Sequence, residues 1–295
     1  MKKYIGHFLF IFSLLLVFSC EPNRAENGDF LFGVQNPGET GGGNGGGNTG
    51  ATKKLKKQTV VDPQGGISYF EYNYTGDQLT SVHSDIDGDI SDYTLKYTNN
   101  ILTQLIVKED DGVDITTSTL DLVYQNGKLT SSVGRMVSQG TEINKNVTGY
   151  TYYTDGTLKK ISSSIQSDAE VPGTYVELFS LVSDFVFTGN NISTWKFTLT
   201  PAPIPPITVP PIIISANVSS YDTLKNPLAT LPQAFTIAAT HFMTDSNAAF
   251  GLSANNYKTI NVEGESATYV YTYDADGYPT KAVSSNGTVT YEYIP

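Results

Sequence analysis

Only one cysteine, Cys20, occurs in the chain, together with three histidines and a single tryptophan. One thiol excludes an intramolecular disulfide framework and any zinc site built on several thiolates. No Gly-x-Ser-x-Gly segment is present, so the sequence lacks the nucleophile elbow of the α/β-hydrolases. Basic residues are also scarce, with 18 Lys and Arg against 29 Asp and Glu. The net charge of −11 repels phosphates and excludes nucleic acid as a partner.

The N-terminal segment has the organisation of an export signal. Met1-Lys2-Lys3 is a basic n-region, residues 8–18 are an apolar h-region, and Ser19 is a small residue at the cleavage position. An h-region of about eleven residues is too short to span a bilayer comfortably. We therefore predict a signal peptide over residues 1–19. An uncleaved anchor and an ordinary secretory signal are the alternatives.

The residues that follow divide into a linker and a folded domain. Residues 20–54 include the run of glycines and one asparagine at 41–47, which is typical of a flexible coil. We predict a tether there. Residues 55–295 are enough for one sizeable core and are predicted to form a single domain. A Pro-rich stretch at 200–211 cannot continue a central strand and is predicted to be a stiff loop.

Six similar segments occur along this domain, each with an aromatic residue, a turn rich in Gly, Asn or Asp, and then an apolar residue followed in most copies by Thr or Ser. They begin at Tyr74, Tyr97, Tyr124, Tyr153, Phe187 and Tyr273, and the last is one residue longer than the others. Asn-Gly, Asp-Gly and Gly-Asp pairs accept the positive φ of a tight hairpin turn. Each segment is therefore predicted to be a β-hairpin, reused along the chain.

Between these turns, apolar and polar residues alternate with a period of two. Tyr93, Leu95 and Tyr97 share one face of a strand, for example, while Thr94 and Lys96 lie on the other. We predict an all-β fold, an antiparallel up-and-down meander of about 12–16 strands curled into a sheet or open barrel. At most one short helix is expected, near residues 234–243.

These features resemble two known groups of proteins. The segment Val17–Cys20 resembles the lipobox of bacterial lipoproteins, which implies acylation of Cys20, for instance with palmitate, and attachment to a membrane. The hairpin segments resemble the YD repeats of bacterial Rhs-type proteins. The leader, the tether, the hairpins and the pairing of residues 221–228 with residues 271–281 together resemble Bacteroidota outer-membrane lipoproteins of unknown function with a porin-like fold. That resemblance implies an outer-membrane location and no particular reaction.

Three aspartates, Asp85, Asp87 and Asp89, are the main candidate metal ligands, and Asp110, Asp111 and Asp114 invite the same interpretation. Closely spaced carboxylates are typical of Ca²⁺ sites, but Gly88 falls at the fourth position instead of the sixth position of an EF-hand loop. A polar hairpin turn explains the same residues. We therefore predict no metal site and no cofactor, and keep these aspartates as weak candidates.

Catalytic residues are not apparent. His83 and His241 are the histidines of the predicted domain. Most acidic residues fall in predicted turns or on the solvent-exposed faces of strands. The tyrosines and Trp195 are expected to lie mainly in the core, because aromatic pairs stabilise a sheet. The basic cluster at 53–57 is expected to be a solvated face, with contact to anionic head groups as the alternative.

The function predicted from these patterns is that of a non-enzymatic cell-envelope lipoprotein with a binding or scaffold role. A glycan or a protein is the expected partner, and whether the domain faces the periplasm or the cell surface stays open. The alternative is a carbohydrate-active hydrolase whose carboxylates lie in the barrel mouth, among Asp85, Asp87, Asp89 and the loop after Pro211.

Overall fold

The computed structural model describes residues 53–110, 114–168, 174–203, 209–242, 246–249 and 251–295. These residues form seventeen β-strands, one α-helix and two short 3-10 helices. The strands are β1 (Lys54–Val61), β2 (Ile67–Thr75), β3 (Gln78–Ile86), β4 (Asp89–Thr98), β5 (Ile101–Asp110), β6 (Ile115–Gln125), β7 (Lys128–Ser138), β8 (Thr141–Tyr152), β9 (Leu158–Asp168), β10 (Tyr175–Thr188), β11 (Asn191–Pro201), β12 (Ile212–Lys225), β13 (Asn255–Val262), β14 (Glu265–Thr268), β15 (Val270–Tyr273), β16 (Pro279–Ser284) and β17 (Gly287–Ile294). The helix, α1, spans Gln233–Phe242.

The strands form a nearly closed antiparallel barrel. Each strand except β14 pairs with the next in the chain, and β1 closes the ring by pairing with both β2 and β17. One seam remains, between β14 and β15, which are consecutive and separated only by Tyr269. The predicted all-β fold and its single short helix are confirmed. The strand number exceeds the predicted range by one because Tyr269, which belongs to neither strand, divides one segment into β14 and β15.

Side chains replace part of the backbone ladder near the seam. The Tyr271 hydroxyl donates to the carbonyl oxygen of Tyr257 at 3.0 Å. Asp222 accepts hydrogen bonds from the hydroxyl of Tyr273 and, at 3.1 Å, from the Asn256 side-chain amide. The Asp222 carboxylate therefore joins β12, β13 and β15 next to the seam.

The hairpins share one local geometry. A β-bulge lies next to the aromatic residue of each segment, as between Val123 and Tyr124, and the hydroxyl of Thr130 donates to the Val123 carbonyl oxygen at 3.2 Å. Asn126 and Gly127 form the turn with φ of 52° and 76°. The apolar-Thr pair of the sequence pattern thus has a physical cause, because the hydroxyl satisfies a carbonyl oxygen at the bulge.

The fourth hairpin differs from its predicted alignment. Its bulge lies between Thr151 and Tyr152, and the Tyr152 hydroxyl donates to the Leu129 carbonyl oxygen at 2.7 Å. The aromatic position is therefore Tyr152 and not Tyr153, which makes this copy as long as the one that begins at Tyr273. The Tyr153 hydroxyl instead donates to the Phe185 carbonyl oxygen.

The core lies inside the barrel. Strand residues that alternate inward, such as Leu79, Leu105 and Ile161, are fully buried. We call the end with the turns at 87–88 and 139–140 the upper rim, and the end with the turns at 76–77 and 126–127 the lower rim. Within the described residues, no helix has the length and apolar character needed to cross a membrane.

The connection between β12 and β13, described over residues 226–242, 246–249 and 251–254, lies in the lower half of the lumen, and we call it the plug. It begins and ends at the lower rim, where Lys225 pairs with Asn255. Its buried side chains belong to the same core as the inward strand residues; they include Leu228, Leu231, Phe235, Ile237 and Leu252. The plug carries α1, in which every residue from Phe235 to Thr240 is buried. A helix that is buried on all sides is typical of a position inside a core.

Candidate functional site

The upper half of the lumen differs from the lower half. Inward residues near the lower rim, such as Leu79, Leu102 and Leu129, are buried beneath the plug. Several inward residues between α1 and the upper rim keep partial exposure; they include Glu109, Thr116, Met136, Asn144, Asn146, Ile165, Leu181, Phe197 and Ile214. We call this region the upper lumen. Its lining combines apolar, amide and carboxyl groups, as ligand sites usually do.

His241, at the end of α1, forms the floor of the upper lumen. Its Nδ1 lies 2.8 Å from Ser163 Oγ, and its Nε2 lies 2.8 Å from Ser183 Oγ. Its ring also meets that of Phe197 edge-on, with centroids 6.1 Å apart. Ser183 Oγ additionally accepts from Trp195 Nε1 at 3.1 Å. These contacts attach the end of the plug to β9, β10 and β11.

Burial lowers the pKa of His241 to about 3, so its imidazole is neutral at physiological pH. One ring nitrogen then donates and the other accepts, and the two serine hydroxyls satisfy both. A histidine whose two nitrogens are held by the protein has no free lone pair to act as a general base. The pair Ser163–His241 was not found from the sequence, since 78 residues separate them.

Polar side chains form one row across the inward face of the wall, which we call the polar track. Register pairs connect its members laterally from β1 to β7: Gln58, Phe70, Ser84, Ser91, Glu109, Thr116 and Ser138. Gln58 and Ser84 are each 1% exposed, whereas Glu109 and Thr116, nearer the upper rim, are partly exposed. Only Phe70 interrupts the polar character of the row.

Glu109 is the carboxyl group that the polar track brings into the upper lumen. Its Oε2 accepts from Thr116 Oγ1 at 3.2 Å. Burial raises its pKa, and the nearby carboxylate of Asp89 raises it further. Glu109 was not singled out from the sequence, although the alternation of Leu105, Val107 and Glu109 on one face was available as a signal.

The three candidate aspartates lie at the upper rim, in the turn between β3 and β4. Asp85 Oδ1 accepts from the Gly88 backbone N–H at 3.0 Å, and Asp87 has a φ of 55°. Asp89 is exposed and interacts with Glu109. In the part of the chain that the structure describes, no three Asp, Glu, His or Cys side chains are grouped to hold a metal ion. These aspartates shape a hairpin turn, as the alternative explanation predicts.

The basic cluster at 53–57 is neutralised by acidic neighbours. Its ion pairs are Lys53 with Asp274 (2.8 Å) and Asp276 (2.5 Å), Lys54 with Asp77 (2.6 Å), Lys56 with Glu292 (3.1 Å) and Lys57 with Glu71 (2.5 Å). The Glu71 carboxylate raises the pKa of Lys57, and Lys57 in turn lowers the pKa of Glu71. The cluster therefore attaches β1 to its neighbours in the wall.

The outward face of the wall carries a row of charges. Register pairs connect, in order, Glu292, Lys57, Glu71, His83, Asp92 and Lys108 across six strands. His83 Nδ1 lies 2.7 Å from Asp92 Oδ1. The barrel thus has a mainly apolar interior in its lower half and a charged exterior around β17 and β1–β5. Trp195 and Tyr93 are 2% and 3% exposed, which confirms that they lie in the core.

Cys20, the predicted signal peptide and most of the predicted tether lie outside the described residues. Comparison with protein-family models and with curated proteins gives no match. Among solved structures, the chain is similar to the crystal structure of a porin-like protein from Bacteroides uniformis. The TM-score is 0.50 and the sequence identity 14%, over 81% of this chain and 96% of that one. The chain therefore has a porin-like barrel fold.

Proposed function

We propose that the chain is a non-enzymatic lipoprotein of the outer membrane whose barrel stands in water and binds a ligand in the upper lumen. Two observations carry this proposal: a row of charged side chains lies on the outward face of the wall, and the plug occupies the lower half of the lumen. A barrel that spans a membrane needs an outward apolar band about 25 Å tall. The row from Glu292 to Lys108 interrupts such a band on six of the seventeen strands.

The plug argues against a channel role. Phe235, Ile237 and Leu252 belong to the same buried cluster as the inward strand residues. Opening a path for water or solutes would require this buried apolar surface to separate from the wall, at about 25 cal/mol for each Å² exposed. The space that remains is the upper lumen, and a concave space lined by mixed side chains suits a bound ligand better than a passing one.

Acylation of Cys20 is the proposed means of attachment to the membrane. Growth of the producing cells with an alkyne-tagged palmitate should label the wild-type chain and leave Cys20→Ser unlabelled. Shaving of intact cells with protease then tells whether the barrel faces the surface or the periplasm. Recovery of an unlabelled wild-type chain from the envelope would contradict the lipoprotein assignment.

Ligand binding in the upper lumen is tested by a thermal-shift screen with oligosaccharides, lipids and peptides on the detergent-solubilised full chain. A ligand of this site should raise the melting temperature of the wild type, because it binds only the folded state. The variant Ile214→Trp, which places a large ring in the upper lumen, should lose the shift. Val182→Trp, an outward substitution on β10, is the matched control and should keep it.

A second candidate function is hydrolysis of a glycoside, favoured by the pair Glu109 and Asp89. Glu109 has the raised pKa of a general acid, and Asp89 is an exposed carboxylate beside it. Of the three aspartates predicted for this role, Asp89 is the one that interacts with Glu109, whereas Asp85 and Asp87 belong to the turn between β3 and β4. Release of reducing ends from oligosaccharides by the wild type, abolished in Glu109→Gln, would replace the binding function with this one.

A further inference from the structure

The polar track is not required by the fold. The neighbouring inward row, one step closer to the lower rim, is mainly apolar and runs through Tyr72, Val82, Tyr93 and Val107. Both rows occupy the same strands, so the same wall can be built with apolar side chains. Burying hydroxyl and amide groups there costs stability unless each finds a hydrogen-bonding partner.

One of these polar groups lacks such a partner. The Nε2 atom of Gln58 is buried and makes no hydrogen bond within the described residues. The Gln58 side chain lies between Phe70 and Tyr291, its register partners on β2 and β17. An unpaired buried amide of this kind destabilises the fold. Gln58 Nε2 is a buried donor without an acceptor among the described residues, so the protein's own groups there do not satisfy the whole track.

The charge of the upper lumen restricts the class of ligand that can bind there. The lysines and the arginine of the described strands lie on outward positions or at the lower rim; Lys96 and Lys108, for example, are exposed on the outward faces of β4 and β5. An anionic ligand would therefore meet no cation along the track, and burying an unpaired charge is costly. Glu109, whose pKa is raised by burial, adds a carboxyl group to the track.

The opposite side of the lumen is apolar. Phe197 and Ile214 are register partners on β11 and β12, and both keep partial exposure. Strand β12 lies eight strands from β4 in a seventeen-strand ring, so these side chains face the Ser91 side of the track across the lumen. The upper lumen thus offers hydroxyl, amide and carboxyl groups on one side and an apolar surface on the other.

We propose that the ligand of the upper lumen is an uncharged, hydroxyl-rich oligosaccharide, bound at the end of the polar track that is open to the lumen, at Glu109 and Thr116 and beside Ser91. Sugar hydroxyls both donate and accept, which matches the serine and threonine hydroxyls and the carboxyl group of the track. The C–H faces of sugar rings match Phe197 and Ile214. This inference rests on the proposed binding function and names its ligand class.

The test is isothermal titration of the detergent-solubilised full chain with three sets of hexasaccharides. The first set is neutral and comprises maltohexaose, cellohexaose and xylohexaose; hexagalacturonate is the anionic probe and chitosan hexamer the cationic probe. We expect a neutral hexamer to bind. Its affinity should fall at least tenfold in Ser91→Val and in Glu109→Leu, and should be unchanged in Thr94→Val, an outward substitution on the same strand as Ser91.

Circular dichroism and melting curves establish that each variant folds, and Ser91→Ala replaces Ser91→Val if the larger side chain prevents folding. Binding of only a charged hexamer, or of only the lipids and peptides of the thermal-shift screen, overturns the ligand class and leaves the binding function standing. If a neutral hexamer binds the wild type and the Ser91 and Glu109 variants with equal affinity, the polar track is not the binding site. Absence of binding by every probe overturns both the ligand class and the binding function.

Discussion

The hydroxyl of Tyr97 donates a hydrogen bond of 2.8 Å to the carbonyl oxygen of Leu79, and so joins one hairpin to the hairpin before it. Burial raises the pKa of Tyr97 to about 12, which keeps this hydroxyl protonated. The same contact recurs around the barrel: Tyr74 to Leu55, Tyr124 to Leu102, Tyr152 to Leu129, Tyr221 to Ile192 and Tyr293 to Pro279. In most copies of the hairpin pattern the aromatic residue is tyrosine, because its hydroxyl group donates this hydrogen bond.

Removal of this hydroxyl should destabilise the barrel. Tyr97→Phe deletes one hydrogen bond to a partly buried carbonyl oxygen, and we expect the free energy of unfolding to fall by about 1 kcal/mol. Urea unfolding followed by fluorescence measures the change. The reverse substitution, Phe187→Tyr, adds a hydroxyl at the equivalent position of the fifth hairpin. An unchanged stability of Tyr97→Phe would mean that the contact is incidental.

Three glycines should respond to alanine in a fixed order. Gly149 has ordinary φ and open space at its Cβ position, so Gly149→Ala should be neutral or slightly stabilising. Gly127 also has open space but a φ of 76°, so Gly127→Ala should cost about 1–2 kcal/mol. A Cβ at Gly287 would lie 2.3 Å from the Val61 carbonyl oxygen, and Gly287→Ala should cost most. Melting temperatures that do not follow this order contradict the turn geometry.

Stability should depend on pH through His241. Its folded pKa of about 3 lies below the ordinary value of 6.5, so the unfolded chain binds a proton in this interval that the folded chain refuses. The stability contributed by the neutral ring is complete above pH 6.5. It is lost by up to about 1.4 kcal/mol per pH unit as the pH falls toward 3.

The His241 effect is measured as the difference between the wild type and His241→Asn in urea unfolding at pH 7 and pH 4.5. The wild type should lose more stability than the variant over this interval. His83→Gln, which alters the exposed pair with Asp92, is the matched control and should retain the steeper wild-type dependence. Equal pH dependence in all three proteins would contradict the buried neutral state of His241.

Asp222 should matter more than an ordinary surface carboxylate. Its oxygens accept from the backbone N–H groups of Leu224 and Asn256, from the Asn256 side chain and from Tyr273. Asp222→Asn replaces one acceptor oxygen with a donor, and we expect a loss of about 1–3 kcal/mol. Asp184→Asn, which breaks one exposed ion pair with Lys160, should cost about 0.5 kcal/mol. Similar unfolding curves for both variants would show that the seam is held by other contacts.

Much of the wall could be predicted from local sequence. The turn at Asn126 and Gly127 was predicted because few residue pairs accept two positive φ values in succession. The inward positions of Tyr93 and Trp195 followed from alternation, since a strand reverses its side chains at every residue. The short helix was placed within one residue of its observed bounds, although nothing in its sequence indicated that it lies inside the barrel.

The candidate site was predicted less well. Glu109 is recognisable by its phase with Leu105 and Val107, yet acidic residues were assigned to turns and wet faces by composition. The polar track depends on register, and a shift of one residue between two neighbouring strands would move its members to the outer face. His241 meets Ser163 and Ser183 only because the plug enters from the lower rim and stops halfway.

The order of residues along the chain determined the hairpins, the alternation of each strand and the excess of negative charge, because these depend on neighbours a few positions apart. Closure of the ring by β1 and β17, the seat of the plug and the row from Gln58 to Ser138 were decided by tertiary structure alone. They depend on which distant strands lie side by side and at what offset. The pairing and offset of distant strands determine how much apolar surface the whole barrel buries, and no single segment specifies them.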